Sequence, residues 1–133
     1  MTHTNYQPVR NAVKNAFKEL RKKGLVARMN YGDTATSTSH ELAAIMEEKN
    51  AIGFTYFNEQ DEKDLREKGS VCIGYGGATD WYENIENIPE NGLTNLEAGE
   101  LVSEALRRQN TLQVIWGKVE HRKIIVDLRR NKQ

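Results

Sequence analysis

Residues 52–76 read IGFTYFNEQDEKDLREKGSVCIGYG, and how this stretch is parsed decides the fold. "GFTYF" is rich in β-branched and aromatic residues, which suit a pleated, half-buried strand. Asn58 and Asp61, with Glu59 and Glu62 beside them, mark a helix start. A short polar side chain can accept from the free N–H groups of a first turn, and the acids suit its partial positive charge. Gly69 is placed to stop that helix. "SVCIGYG" is the most continuously apolar strand, as a central strand covered on both faces should be. Strand, helix, strand is the order of a crossover unit, which predicts parallel neighbours joined in the right-handed sense.

Working outward, "PVRNAVKNAFKELRKKG" sets Val9, Val13, Ala16, Phe17 and Leu20 at steps of three and four, one apolar stripe on a first helix that Gly24 ends. "LVARMNY" alternates as a strand does. Thr38 and Glu41 have the spacing of a capping box for a second helix running to about Asn50, and Thr94 with Glu97 repeats that spacing for a helix reaching Arg108. "LQVIW" and "KIIVDL" read as two strands joined by the hairpin loop "GKVEHR". The expected fold class is α/β, a single layered domain over 1–133 in the order α-β-α-β-α-β-α-β-β. Its mixed five-stranded sheet would have parallel crossovers and a C-terminal antiparallel hairpin. A long irregular loop at about 76–93 and a frayed basic tail complete the expectation.

The 133 residues are 38% hydrophobic and 29% charged, with 19 basic and 19 acidic side chains. That composition fits a folded chain of one core rather than a disordered one. The zero balance conceals a segregation: residues 1–28 carry a net +6, residues 118–133 a net +4, and the middle −10. Such a distribution steers charged partners and favours association of unlike poles. An acidic middle repels a phosphate backbone, so nucleic acid is not the expected partner. No apolar run is long enough to span a bilayer, and "MTHTNYQPVRNAVKN" lacks the apolar centre of a secretory signal, which together predict a cytoplasmic protein. Cys72, alone in its type, reads as a small buried hydrophobe. The three histidines do not form a ligand pattern, so neither a metal nor any other cofactor is expected.

If the first three strands are parallel, the loops leaving them gather at one edge, where open α/β sheets bind ligands. Those loops supply the candidate binding residues: Asp33, Gln60, Asp61, Tyr75, Gly76, Gly77, Asp80, Trp81 and Tyr82. Trp81 and Tyr82 would act as aromatic anchors in an acidic rim, or else fold back over the core. "GYGG" is a bulk-free turn or a weak phosphate cradle. For catalysis the candidates are Asp33, His40, Asp61 and Asp80, with Ser37 or Ser39 as nucleophile, but no motif establishes a catalytic constellation.

"GLVARMNY", "IGFTYFNEQDEKDLREKGSVCIGYG" and "LVSEALRRQNTLQVIWGK" with "RKIIVDL" together resemble a bacterial family of small α/β domains of unknown function. The matching positions are Gly24 to Tyr31, Gly53 to Asp61, Tyr75 to Gly76 and Val114 to Gly117. The resemblance implies no activity. Members of that family carry closely spaced cysteines after the first strand, whereas "GDTATSTSH" stands here, so no metal or redox role transfers. The expected function is a noncatalytic protein-binding or regulatory module, such as a host or phage regulator or inhibitor. It would act on a protein partner or a second copy of itself, through the aromatic acidic loop and charge-separated surface. The alternative is a small-ligand enzyme or sensor with a polar pocket at the carboxyl edge of the parallel strands.

Overall fold

A computed structural model of the chain describes residues 2–117 and 123–129. Its elements are α1 (Tyr6–Lys22), β1 (Leu25–Arg28), α2 (Ala35–Glu48), β2 (Gly53–Tyr56), α3 (Glu59–Lys68), β3 (Val71–Gly77), α4 (Ala78–Trp81), α5 (Asn95–Arg107), β4 (Leu112–Ile115) and β5 (Ile124–Leu128), with a 3₁₀ turn at Ile85–Asn87. The five strands form one mixed sheet in the order β1-β2-β3-β5-β4. β1 and β2 are parallel across the α2 crossover, and β4 and β5 form the antiparallel hairpin. Most of the hairpin loop, residues 118–122 with His121, and the tail 130–133 lie outside the described residues.

β3 runs opposite to the expected direction. It pairs antiparallel with β2, Gly53 facing Gly77 and Tyr56 facing Gly74. The cause is visible in α3, which buries Leu65 as its one apolar side chain, beside Asp61 and Glu62. A crossover helix must lay an apolar stripe along the sheet to carry the chain to its far end. With a single leucine, α3 instead packs against β3 and α1, and the chain re-enters the sheet from the side it left. The three loops therefore do not share a rim. Those after β1 and β2 leave at one edge, and residues 78–93 leave at the other, where Ala78 N–H and Leu93 N–H both donate to the carbonyl of Ile52.

Local signals are otherwise realised. Asn58 and Asp61 cap each other's backbone at the start of α3, Gly69 ends it in the left-handed conformation, and Thr94 with Glu97 forms the capping box of α5. α2 begins earlier than the Thr38–Glu41 spacing suggested. Thr34 caps it by accepting from Ser37 N–H, while Thr38 is buried and its hydroxyl donates to the Tyr31 carbonyl. His3 is tied down: its N–H donates to the Arg66 carbonyl and its Nδ1 accepts from Asn5 N–H.

The sheet is covered unequally. One face buries Val71, Ile73, Val126 and Ile124 against Phe17 and Leu20 of α1 and Val102 and Leu106 of α5. On the other face α2 packs Leu42 and Met46 against Val26, Phe54 and Tyr56. Beyond α2 no described helix covers that face. Ile125 (44% exposed) pairs with Cys72 on one side and with Ile115 (55% exposed) on the other. Cys72 is accordingly half-buried rather than buried, and desolvation, with Asp61 nearby, pushes its thiol up and away from the reactive thiolate.

Candidate functional site

The open face narrows into a groove where α2 ends its cover. Its lining includes Ser39 and His40 from α2, Tyr56 from β2, Gly74 from β3, Trp81 from α4 and Lys123 beside β5, around a volume of about 320 Å³. The floor exists because β3 carries no side chain at alternate positions. A Cβ on Gly74 would lie 2.4 Å from the Tyr56 ring, and one on Gly76 would meet Phe54 at a similar distance and Trp81 Nε1 at 2.7 Å. The glycines of "GYGG" thus let aromatic rings lie flat on the strand. They are not a phosphate cradle: Gly77 faces the Leu93–Thr94 backbone, and its N–H donates to Asn95 Oδ1 at 2.9 Å.

Trp81 forms one wall. Its ring meets Phe54 edge-on at 5.5 Å and His40 at 5.7 Å. At the other end Lys123 lies 5.8 Å over the Tyr56 ring, with its Nζ 3.4 Å from Asp61 Oδ2. The Tyr56 hydroxyl is 3.0 Å from Ser39 Oγ. On the far side of Trp81 a second groove, of about 420 Å³, is lined by His40, Glu47, Asp80 and Glu83 among others. Carboxylates line that groove, whereas among the described residues none lines the first.

The expected site residues are dispersed by this geometry. Tyr75 and Trp81 line the first groove, Gly76 lies beneath Trp81, and Asp61 acts through Lys123. Asp80 accepts from Asn95 N–H at 2.7 Å and so holds the start of α5. Tyr82 is turned inward, its hydroxyl donating between the carbonyls of Ala51 at 2.8 Å and Met46 at 3.2 Å, and burial raises its pKa. Asp33 and Gln60 are exposed at the opposite edge, where Gln60 donates to Asp64. The segment 78–93 is not irregular throughout, since α4 and the 3₁₀ turn organise it. Glu47 clamps it by accepting from Glu83 N–H at 2.7 Å, Asn84 N–H and Asn87 Nδ2. Those hydrogen bonds, Asn87's foremost, hold the Glu47 carboxyl below the usual carboxylate range.

Tyr56, Asn95 and Lys123 escaped sequence reasoning, and Gly74 reads there only as part of a turn. Glycines two apart in an apolar strand were the available signal for a bare sheet face. No group of three or more potential metal-ligating side chains occurs among the described residues, and no described helix is long and apolar enough to cross a membrane.

Fold and groove together define a small mixed-sheet α/β domain with a polar groove on a half-open face. The chain belongs to the family described as "Domain of unknown function (DUF6891)", whose model matches residues 10–132. No curated protein and no solved structure matches the chain.

Proposed function

We propose that this domain is a noncatalytic binding module whose working site is the groove beside Trp81. One observation carries the reading: a cavity of about 320 Å³ has a glycine floor, an aromatic wall and a row of polar groups along its side. Small-molecule sites are concave surfaces of this kind, with a few polar groups that fix orientation. A binding role is favoured over catalysis because the Ser39 hydroxyl is paired with a tyrosine hydroxyl, whereas a nucleophile needs a base within reach. A cytoplasmic setting belongs to the same proposal.

The test is ligand retention. Wild-type protein, equilibrated with a cytosolic extract and desalted, should carry a small molecule detectable by native mass spectrometry, and Ser39→Phe should block it. No retained species, or equal retention by the variant, would defeat the groove.

A protein-binding reading has its own support. Ile115 and Ile125 sit directly opposite each other on the uncovered half of the sheet. Ile85 is 79% exposed in the acidic segment. An exposed apolar patch rimmed by polar groups marks an interaction surface. Sedimentation of the protein alone and with affinity-captured partners should show a complex that Ile125→Lys weakens and Tyr82→Phe does not. Tyr82, being buried, is no anchor.

A further inference from the structure

We infer that the groove takes a small organic anion, a carboxylate or a phosphate ester, whose oxygens are received by Asn95, Trp81 and Lys123. This rests on the groove being the working site and assigns the chemistry of its occupant.

Asn95 carries the argument. It is 6% exposed, yet it lines the groove. Its Oδ1 is committed to Gly77 N–H, which fixes the orientation of the amide and leaves Nδ2 as the free end. Among the described residues Nδ2 has no partner, and no side-chain nitrogen or oxygen is both sealed from solvent and unpaired. That N–H₂ must therefore reach the groove. In the groove water can meet that donor, and a ligand acceptor placed there can take the water's place. Trp81 Nε1, placed over Gly76, is likewise a donor with no partner among the described residues. These two donors flank the Gly76–Gly77 end. Lys123 marks the other end, one residue before Ile124, which faces Ile73 in the ladder.

The sign of the ligand follows from what faces the cavity. Asn95, Trp81, His40 and Lys123 offer N–H groups, and among the described residues no Asp or Glu contributes to the lining. Glu47, Asp80 and Glu83 line the second groove, and Asp80, the one of them that meets Asn95, is already engaged by its backbone N–H at 2.7 Å. Lys123 does have an acidic neighbour in Asp61, but at 3.4 Å the contact is long for a charge-assisted hydrogen bond, which settles at about 2.7–2.9 Å. An entering oxyanion can improve on it. The indole face and the bare backbone at Gly74 suit a flat apolar body between the polar ends.

The experiment uses ¹H–¹⁵N spectra of the full chain. The Trp81 indole signal is identified with Trp81→Phe, and the Asn95 amide pair with Asn95→Asp, which keeps the acceptor for Gly77 N–H while removing the donors. Benzoate and phenyl phosphate separate the two sources of negative oxygen, and benzamide is the neutral control. Expected are saturable shifts of both signals with at least one of the two anions, about tenfold weaker binding for benzamide, and a similar loss in Lys123→Gln. The same anion should fail to saturate Asn95→Asp. Equal binding of benzamide overturns the anion while leaving the groove intact. Full affinity in both Lys123→Gln and Asn95→Asp, or no saturable shift with any probe, also overturns it, whereas ligand retention decides the groove separately.

Discussion

Gly74 shows how one missing side chain shapes the surface. The Tyr56 ring occupies the space a Cβ would need, and its hydroxyl is held by Ser39 and lies 3.4 Å from the Ala35 carbonyl, so the ring cannot swing aside without losing those contacts. Gly74→Ala should therefore destabilise the fold by about 1–3 kcal/mol, the usual range for overpacking, and lower the melting temperature by several degrees. Thermal unfolding followed by circular dichroism measures it, and an unchanged midpoint would mean the ring is free to move. Glu47 acts as a single-residue clamp on the segment after α4. Because its folded pKa is depressed, its contribution is complete above the unfolded value and fades as the pH falls through the folded one. Comparing urea midpoints of wild type and Glu47→Gln should thus show a gap at neutral pH that closes in acid.

Between elements, an ion pair adds to the buried Leu65 contact in placing α3. Arg10 of α1 reaches Glu62 at 2.9 Å, with the glutamate side chain nearly buried and the arginine about a quarter exposed. Removing either partner strands the other, but a stranded Arg10 can turn to water and a stranded Glu62 cannot. Arg10→Met should accordingly cost about 2–3 kcal/mol and Glu62→Gln about 1, as read from chemical denaturation. Equal costs would show that Glu62 is reached by solvent. A second pair, Arg108 to Glu19 at 2.7 Å, ties α5 to α1. Arg108 is the main cause of Glu19's lowered pKa, although both side chains are too exposed for the pair to contribute much stability. Glu19 is the one acid among the basic residues of α1, so the segregation of charge along the chain is partly undone where helices meet.

For the molecule as a whole, unequal cover implies unequal stability. β2 and β3 lie inside the sheet with helices on both sides, whereas β4 is an edge strand whose Gln113 and Ile115 are exposed. Amide hydrogen exchange should be slowest in β2 and β3 and faster by orders of magnitude in β4. Comparable protection of Ile115 and Phe54 would contradict the half-open face. The same asymmetry leaves the groove reachable, because α2 stops short of β5 and no described helix lies on the sheet surface beyond it.

Much of this was legible in the chain. Apolar spacing in Val9 to Leu20 set α1, the Asn58–Asp61 and Thr94–Glu97 pairs marked helix starts, and Gly69 marked a stop, because these depend on contacts between residues close in sequence. The class of fold and its five strands followed from the same local rules. The direction of β3 did not, since parallel and antiparallel neighbours share one alternation of side chains and differ only in where the connection returns. α3, with Leu65 alone to bury, held a clue that strand-by-strand reading passed over. The groove is a tertiary product throughout: Trp81, Asn95 and Lys123 come from segments that meet only when β3 reverses and β5 pairs beside it. Backbone pairing and burial, acting between distant segments, decided which polar groups were left facing an open space.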